Sequence, residues 1–236
     1  MRPFLTAEWT NLVMANYEFD RKLLLPHLPV RTELDTHNGI DYVSLVAFMF
    51  TNTKVKGISI PFHRDFEEIN LRFYVRYKDS GEWKRGVVFI KEIVPKFAIA
   101  FVANTLYGEH YQTLKTSHTW DILKDEISLE YRWLFKNKWN HIRAVGNKEI
   151  QPLQKGSEEE FIAEHYWGYT RVNALKTSEY EVKHPIWNIH PLKSYDVKCE
   201  FGALYGPEFK SLETATPRSV FIADGSAISV MGERKI

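Results

Sequence analysis

The clearest chemical pattern in the sequence lies in residues 66–75, which read FEEINLRFYV. Because side chains alternate between the two faces of a strand, this segment predicts a strand with one polar and one apolar face. The polar face consists of Glu68, Asn70, Arg72 and Tyr74. If it points into an enclosed cavity, an acid, an amide, a guanidinium and a phenol converge on one ligand. If it points outward, as one face of an antiparallel sheet commonly does, the groups are solvated and Glu68 and Arg72 form only a structural ion pair.

Motifs of other enzyme classes are absent from the sequence. It contains no P-loop, no glycine-rich dinucleotide motif after a strand, no GxSxG elbow and no HExxH zinc motif. The nine histidines form no compact set with cysteine or carboxylates, so we expect no metal and no cofactor. The single cysteine, Cys199, has no activating base beside it in the sequence and is expected to be a buried apolar residue rather than a nucleophile.

The composition narrows the class of partner. Lys and Arg number 31 against 30 Asp and Glu, which leaves no net field to attract nucleic acid or an anionic membrane. No apolar run approaches the roughly 18 residues that cross a membrane, and the first residues lack a signal-peptide pattern. One cysteine provides no disulfide framework, so the expected location is the cytoplasm. No Ser/Gly-rich linker divides the chain, and we expect a single domain over residues 1–236.

The polar strand needs partners, and the flanking sequence supplies turn and cap signals. Residues 66–77 are expected to pair with residues 86–92 across the turn Asp79-Ser80-Gly81. A second hairpin is expected around residues 36–39, with its return strand at 41–50. Before it we expect a strand over residues 9–19, followed by a short helix that Asp20 caps.

The second half of the chain predicts further strands and few helices. Pro95 and apolar residues at helical spacing predict the main helix over residues 95–108, and the capping box Ser157-x-x-Glu160 predicts a short one. Strands are expected within 111–150, 166–172 and 180–198, then a helical turn at 209–212 and a hairpin over 220–231. About ten strands without βαβ alternation indicate an α+β fold that is mostly β.

Several short motifs follow one another along the whole chain. They are Trp9 with Leu12, Leu28-Pro29, GIDYV at residues 39–43, the strand at 66–75, Gly86-Val87-x-Phe89, Glu164-x-Tyr166 and His184-Pro185-x-Trp187. Each motif is weak alone, but their order and spacing together resemble the YqjF-like family of uncharacterised bacterial proteins, a domain of unknown function. That family is similar to the acetoacetate decarboxylase-like superfamily.

The resemblance implies an acetoacetate decarboxylase-like antiparallel β-barrel or curved sheet, with a central cavity and a few short helices at one side. The polar face of residues 66–75 would then line the cavity, with Glu68 where the decarboxylases have a site glutamate. Those enzymes form a Schiff base through a lysine that lies beside a second lysine. The matching residues 108–112 read GEHYQ here, and Ala7 stands where they have an arginine. Schiff-base decarboxylation is therefore not expected.

Three functions stay open from the sequence. The leading one is a small organic, carboxylate-like ligand held in the cavity, for which the candidate binding residues are Asn70, Arg72, Tyr166, His184 and Trp187. The second is a lyase or hydrolase acting on a small organic acid, with Glu68 as general acid or base and Tyr74 or Tyr111 assisting. The third is a structural or interaction protein without a ligand. The sequence does not decide between a monomer and a homo-oligomer.

Overall fold

The computed structural model describes residues 2–97, 100 and 110–236, and within them the chain is mostly β. The strands in these residues are β1 (Leu5–Glu18), β2 (Glu33–Leu34), β3 (Tyr42–Val55), β4 (Phe66–Asp79), β5 (Glu82–Val94), β6 (Tyr111–Thr113), β7 (Lys115–Ile122), β8 (Glu126–Phe135), β9 (Lys138–Asn147), β10 (Gln151–Pro152), β11 (Trp167–Arg171), β12 (Thr177–Lys183), β13 (Asn188–His190), β14 (Leu192–Lys198), β15 (Ser219–Val230) and β16 (Arg234–Lys235). They form a large curved sheet and a smaller sheet in the order β14-β9-β8-β7.

The helices in the described residues are short. They are α1 (Arg21–Leu24), α2 (Glu158–Ala163), α3 (Phe201–Tyr205) and the 3-10 helices Leu25–His27 and Pro207–Glu213. Asp20 caps α1 as predicted, by accepting a hydrogen bond from the backbone N–H of Lys22 at 2.8 Å. Ser157 caps α2 by accepting from the N–H of Glu160 at 3.1 Å, but the Glu160 carboxylate accepts from Gly156 rather than from Ser157. Most of the main helix predicted over 95–108 lies outside the described residues.

The large sheet curls until its strands form a ring. Neighbouring strands follow the order β15-β1-β3-β4-β5-β11-β12, and β12 also pairs with β15. The mostly β class with a few short helices is therefore confirmed. One feature departs from a wholly antiparallel sheet, because β5 pairs in parallel with β6 and with β11.

Strand β4 is buried on both faces. It pairs with β5 as predicted, with Tyr74 opposite Val87 and Val75 opposite Gly86. The apolar face, which includes Leu71 and Phe73, belongs to one hydrophobic cluster with residues of the smaller sheet such as Trp133. Since the smaller sheet covers this apolar face, the polar face of β4 points to the inside of the curved sheet. Glu68 on that face is only 3% exposed, so the face is directed inward, as the resemblance implies, and the alternative of a solvated face is wrong.

Two predicted hairpins differ in the structure. Strand β2 pairs with β4 rather than with β3, although the turn at His37 to Ile40 is closed by an isolated bridge. Residues 220–231 do not form a hairpin, because β15 runs through Asp224-Gly225-Ser226 as one strand beside β1. Gly225 has φ +79°, and a Cβ there would lie 2.0 Å from the backbone oxygen of Trp9. The glycine therefore permits a close approach of two strands rather than a reversal.

Cys199 is buried, at 7% exposure, and burial raises the pKa of its thiol well above the usual value. Such a thiol stays protonated, which agrees with the apolar role predicted for it. Among the described residues, no helix has the length and apolar character needed to cross a membrane.

Candidate functional site

A cavity of about 220 Å³ lies inside the curved sheet. Its wall is built by β1, β3, β4, β5, β6, β11, β12, β15 and α2, together with the residue before β1 and the segments that follow β3, α2 and β12. The polar and titratable side chains of the wall are Thr53, His63, Glu68, Arg72, Glu92, Tyr111, His165, Tyr180 and His184. The remaining wall is aromatic and aliphatic, so the site is an apolar chamber with a small set of polar groups. Such chambers are the usual form of a small-molecule site.

Glu68 lies at the wall and is held by two neutral donors. The amide nitrogen of Asn70 donates to its Oε1 at 3.0 Å, and the hydroxyl of Tyr111 donates to its Oε2 at 3.0 Å. Burial raises the pKa of the Glu68 carboxyl to about 7, although these two hydrogen bonds and the charge of Arg72 act in the opposite direction. The group can therefore exchange a proton near neutral pH, which the catalytic hypothesis requires.

Arg72 contributes a positive charge to the wall that no acid neutralises within the described residues. Its Nη2 donates to the backbone oxygen of Ile162 at 3.3 Å, and its guanidinium lies 5.6 Å from the ring centre of Tyr74. Its Nε is buried and has no hydrogen-bond partner. The ion pair between Arg72 and Glu68 that was considered from the sequence is not formed, so the guanidinium keeps donors for a ligand.

Asn70 and Tyr74 share the inward face of β4 but are not part of the cavity wall. Asn70 acts on the site through its hydrogen bond to Glu68. The Tyr74 hydroxyl bonds to Ser44 Oγ at 2.6 Å, and Ser44 in turn donates to Asn16 Oδ1 at 2.6 Å. Tyr74 therefore belongs to a buried structural network, which fixes its ring beside Arg72.

The aromatic residues predicted from the later motifs stack on one another. The His184 ring lies 4.3 Å from the Trp187 ring, nearly parallel to it, and 4.6 Å from the Tyr166 ring. His184 and Trp187 are part of the cavity wall, whereas Tyr166 lies behind them and donates to Glu164. Trp187 also donates to Ser226 Oγ at 2.9 Å. Burial lowers the pKa of His184, so this group presents a neutral ring to the cavity near pH 7.

The polar wall residues that the sequence analysis missed are Thr53, His63, Glu92, His165 and Tyr180, and two of them, Glu92 and His165, have charged or hydrogen-bonded surroundings that bear on the site. Glu92 is 2% exposed and lies opposite Asn70 in the β4–β5 register, so it joins Glu68 on the inward face. The register of the predicted strand pair would have identified it. His165 follows α2, and its Nε2 lies 3.1 Å from Asp35 Oδ2. No local sequence signal links residues so far apart in the chain.

Behind the wall, Asp35 forms an ion pair with Arg85 and hydrogen-bonds the ring of the wall residue His165. The Arg85 Nε donates to Asp35 Oδ2 at 2.6 Å. Burial alone would raise the pKa of Asp35, but hydrogen bonds from His165 and Arg85 outweigh it and the pKa is below its usual value. Burial lowers the pKa of His165 to about 4 despite Asp35, so the ring is neutral near pH 7. A neutral ring next to an ionised Asp35 carries its proton on Nε2.

No lysine is part of the described cavity wall. The undescribed positions, residues 1, 98–99 and 101–109, contain no lysine in the sequence. Lys91 points to the other side of the sheet and donates to the backbone oxygen of Leu204, with its pKa lowered by burial. The described residues also contain no cluster of three His, Cys, Asp or Glu side chains that could hold a metal ion.

Sequence comparison gives one matching family model and one curated relative. The model of DUF2071, described as an uncharacterised conserved protein, matches residues 6–227. The protein YqjF of Bacillus subtilis, described as uncharacterised, is 38% identical over 82 residues, which are 34% of this chain and 32% of YqjF. The aligned part thus spans about a third of that relative.

Solved structures share the fold at low sequence identity. Acetoacetate decarboxylase from Legionella pneumophila has a TM-score of 0.67 and 15% identity, over 99% of this chain and 87% of the enzyme. The enduracididine biosynthesis enzyme MppR, solved with pyruvate, has a TM-score of 0.67 and 10% identity, over 100% and 91% of the two chains. An acetoacetate decarboxylase-like enzyme from Sphingomonas wittichii has a TM-score of 0.60 and 10% identity, over 100% and 94%. Identities this low establish a common fold and nothing about activity.

Proposed function

Because the chain belongs to the DUF2071 family of uncharacterised conserved proteins and has an acetoacetate decarboxylase-like fold, we propose that it binds a small organic carboxylate in the cavity of the curved sheet. The observation that carries this proposal is the guanidinium of Arg72. It lies at the wall of the chamber, its Nε has no partner, and no described acid forms an ion pair with it. A half-buried cation without an ion pair is stabilised by an anion from outside the protein.

The shape of the guanidinium favours a carboxylate over a point anion. Its N–H groups lie in one plane and match the two oxygens of a carboxylate, and the resulting charge-assisted hydrogen bonds are strong. The structural neighbour MppR was solved with pyruvate, which is a carboxylate, and it shares this fold over the whole length of the chain. That likeness supports the class of ligand and leaves the ligand itself open.

Glu68 sets the pH dependence of the proposed binding. With a pKa of about 7 it is partly protonated at neutral pH, and a neutral carboxylic acid beside Arg72 does not repel an anionic ligand. When Glu68 ionises, it repels the ligand and competes for the charge of Arg72. We therefore expect carboxylate binding to weaken as the pH rises from 6 to 8.

The second candidate function is catalysis on the same ligand, and the state of Glu68 favours it. A carboxyl whose pKa lies near 7 can donate or accept a proton at working pH, and Tyr111 contacts its Oε2. The chemistry would be of lyase or hydrolase type, since no lysine of the wall can form a Schiff base. The variant Glu68→Gln distinguishes binding from catalysis. It should still bind carboxylates whichever function is correct, and it should lose turnover only if Glu68 transfers a proton.

The test of binding is a thermal-shift series with small carboxylates at pH 6. The wild type should be stabilised, and Arg72→Met, which removes the charge and keeps most of the length, should show no shift. Arg76→Met is the matched control, because Arg76 lies on the same strand but pairs with Glu33 at the surface. This control should respond as the wild type does.

A second variant keeps the test decisive if Arg72→Met does not fold. Arg72→Lys retains the charge but loses the planar pair of donors, so carboxylates should bind it about tenfold more weakly than the wild type. Equal stabilisation of the wild type and either Arg72 variant would contradict the proposal. So would the absence of any shift in the wild type across the series, which would favour a structural role without a ligand.

A further inference from the structure

Arg72 and Phe66 mark two ends of the cavity wall along β4. Along the β3–β4 pair, Ser44 lies opposite Arg72, Phe48 opposite Glu68 and Phe50 opposite Phe66. Beyond Phe66 the wall continues with Val55 and Leu5, which face each other across β3 and β1. With about 3.3 Å per residue, Arg72 and Phe66 are roughly 20 Å apart along the strand. The end away from Arg72 is mostly apolar, with Thr53 and His63 as its polar residues.

Aromatic rings line the cavity from several directions, and Phe89 lies opposite Arg72 in the β4–β5 register. They come from six strands of the ring and are Trp9, Phe50, Phe66, Phe89, Trp167 and Tyr180. Phe50 and Phe66 stack with their ring centres 4.8 Å apart, and Trp9 lies 5.9 Å from Phe50 with its plane perpendicular to that ring. These separations are those at which aromatic rings attract one another. The wall thus offers both ring faces and ring edges to whatever fills the chamber.

We propose that the ligand is an aromatic carboxylic acid, whose carboxylate binds Arg72 and whose ring lies among the nearby aromatic side chains of the wall, such as Phe89. This inference rests on the proposed function, because it specifies the apolar part of the carboxylate ligand proposed there. The size of the chamber agrees with it. An apolar cavity of about 150 Å³ holds a benzene ring, so about 220 Å³ accommodates a ring with a short acid chain.

A ligand without an apolar body would leave most of the chamber unfilled. Acetate or propanoate could bind Arg72, but it would leave most of the aromatic rings of the wall without a contact. Filling the chamber removes apolar surface of both partners from water, and a flat ring adds stacking that an aliphatic ring lacks. The apolar wall of the chamber therefore favours a ligand with an apolar ring, while Arg72 favours a ligand with a carboxylate.

The experiment measures dissociation constants of four probes by calorimetry with the full chain. Phenylpropanoate carries both features, propanoate has the charge alone, phenylpropanamide has the ring without the charge, and cyclohexylpropanoate has a non-aromatic ring. We expect phenylpropanoate to bind at least about tenfold more tightly than propanoate and than the amide. It should also exceed the cyclohexyl acid by about two- to tenfold.

Val230→Trp provides the matched variant. Val230 is a half-buried wall residue between Leu5 of β1 and Val182 of β12, so a bulky side chain there occupies space in the chamber and leaves Arg72 in place. The variant should lose at least about tenfold in affinity for phenylpropanoate and keep that for propanoate. Its unliganded melting temperature shows whether it is folded.

The outcomes separate this inference from the proposed function. Propanoate binding as tightly as phenylpropanoate would overturn the aromatic body and leave the carboxylate site intact. Equal binding of the cyclohexyl acid would overturn the aromatic character alone. If the amide bound as well as the acid, the carboxylate function would fail while the ring site survived, and if no probe bound, both would fail.

Discussion

Glu68→Gln should become more stable relative to the wild type as the pH rises from 4.5 to 7.5. The quantity compared is the difference between their free energies of unfolding at each pH. Burial raises the pKa of this carboxyl from its usual value of 4.5 to about 7 in the folded state. The folded protein therefore holds a proton that the unfolded chain releases, and the free energy of unfolding falls as the pH rises through this interval. At about 1.4 kcal/mol per pH unit, the loss amounts to about 3 kcal/mol. Glutamine, which resembles the protonated acid, does not incur it.

His165 acts in the opposite direction over nearly the same interval. Burial lowers its pKa from 6.5 to about 4, so the unfolded chain binds a proton that the folded protein does not. The free energy of unfolding then rises by about 3 kcal/mol as the pH increases from 4 to 6.5. The two contributions nearly cancel in the wild type. In Glu68→Gln only the His165 contribution remains. The free energy of unfolding of this variant should therefore increase with pH over the interval in which the two contributions cancel in the wild type.

The assay is urea unfolding of wild type and variant at four pH values from 4.5 to 7.5. Glu67→Gln is the control, since Glu67 is the neighbouring residue but contacts His118 and Thr116 outside the cavity. Burial opposes those hydrogen bonds, yet the pKa of Glu67 is lowered, so its contribution is lost only at lower pH. The difference between this control and the wild type should stay nearly constant. A constant difference for Glu68→Gln as well, or one that shrinks with pH, would refute the buried, proton-holding state of Glu68.

Three further outcomes follow from the structure. Incubation with acetoacetate and borohydride should trap no covalent adduct, because no described wall residue is a lysine. A mass increase on any single lysine, found by peptide mapping, would contradict this expectation. Gly225→Ala should lower the free energy of unfolding by at least about 2 kcal/mol, because the new Cβ meets the Trp9 oxygen at a positive φ. The control Gly39→Ala, also at a positive φ but in open space, should lower it by about 1 kcal/mol. Similar losses for the two variants in denaturation experiments would argue against the close approach. Ser157→Ala should cost about 1 kcal/mol by removing the cap of α2, and an unchanged unfolding midpoint would show that the cap contributes nothing.

The local elements of the fold could be predicted because their signals are local. Alternation identified β4, and the turn Asp79-Ser80-Gly81 placed β5 beside it; both Ser80 and Gly81 adopt the positive φ that such a turn requires. The same logic failed at Asp224-Gly225-Ser226, which has the composition of a turn. There the glycine serves a contact with β1, more than two hundred residues away, and no local pattern reports such a contact.

The candidate site depended on orientation, which the pattern alone did not determine. Alternation grouped Glu68 with Arg72, but both faces of β4 are buried, so polarity could not show which face meets a cavity. The family resemblance favoured the inward direction. It did not reveal His165, which enters the wall only because α2 ends beside β4 and Asp35 holds the ring. Long-range packing of that kind is set by the whole fold.

The pairing of β1 with β15, which brings the two ends of the chain together in the ring, has a consequence for the folding rate. Leu5 and Val230 are neighbours in the cavity wall and lie almost at opposite ends of the sequence, so the chamber exists only after the most distant segments have met. Contacts between remote residues make folding slow, because a long loop must close before they form. The chamber should therefore be completed late, and a ligand that fills it should leave the refolding rate unchanged while it slows unfolding. Occupancy would then extend the lifetime of the folded protein rather than guide its formation.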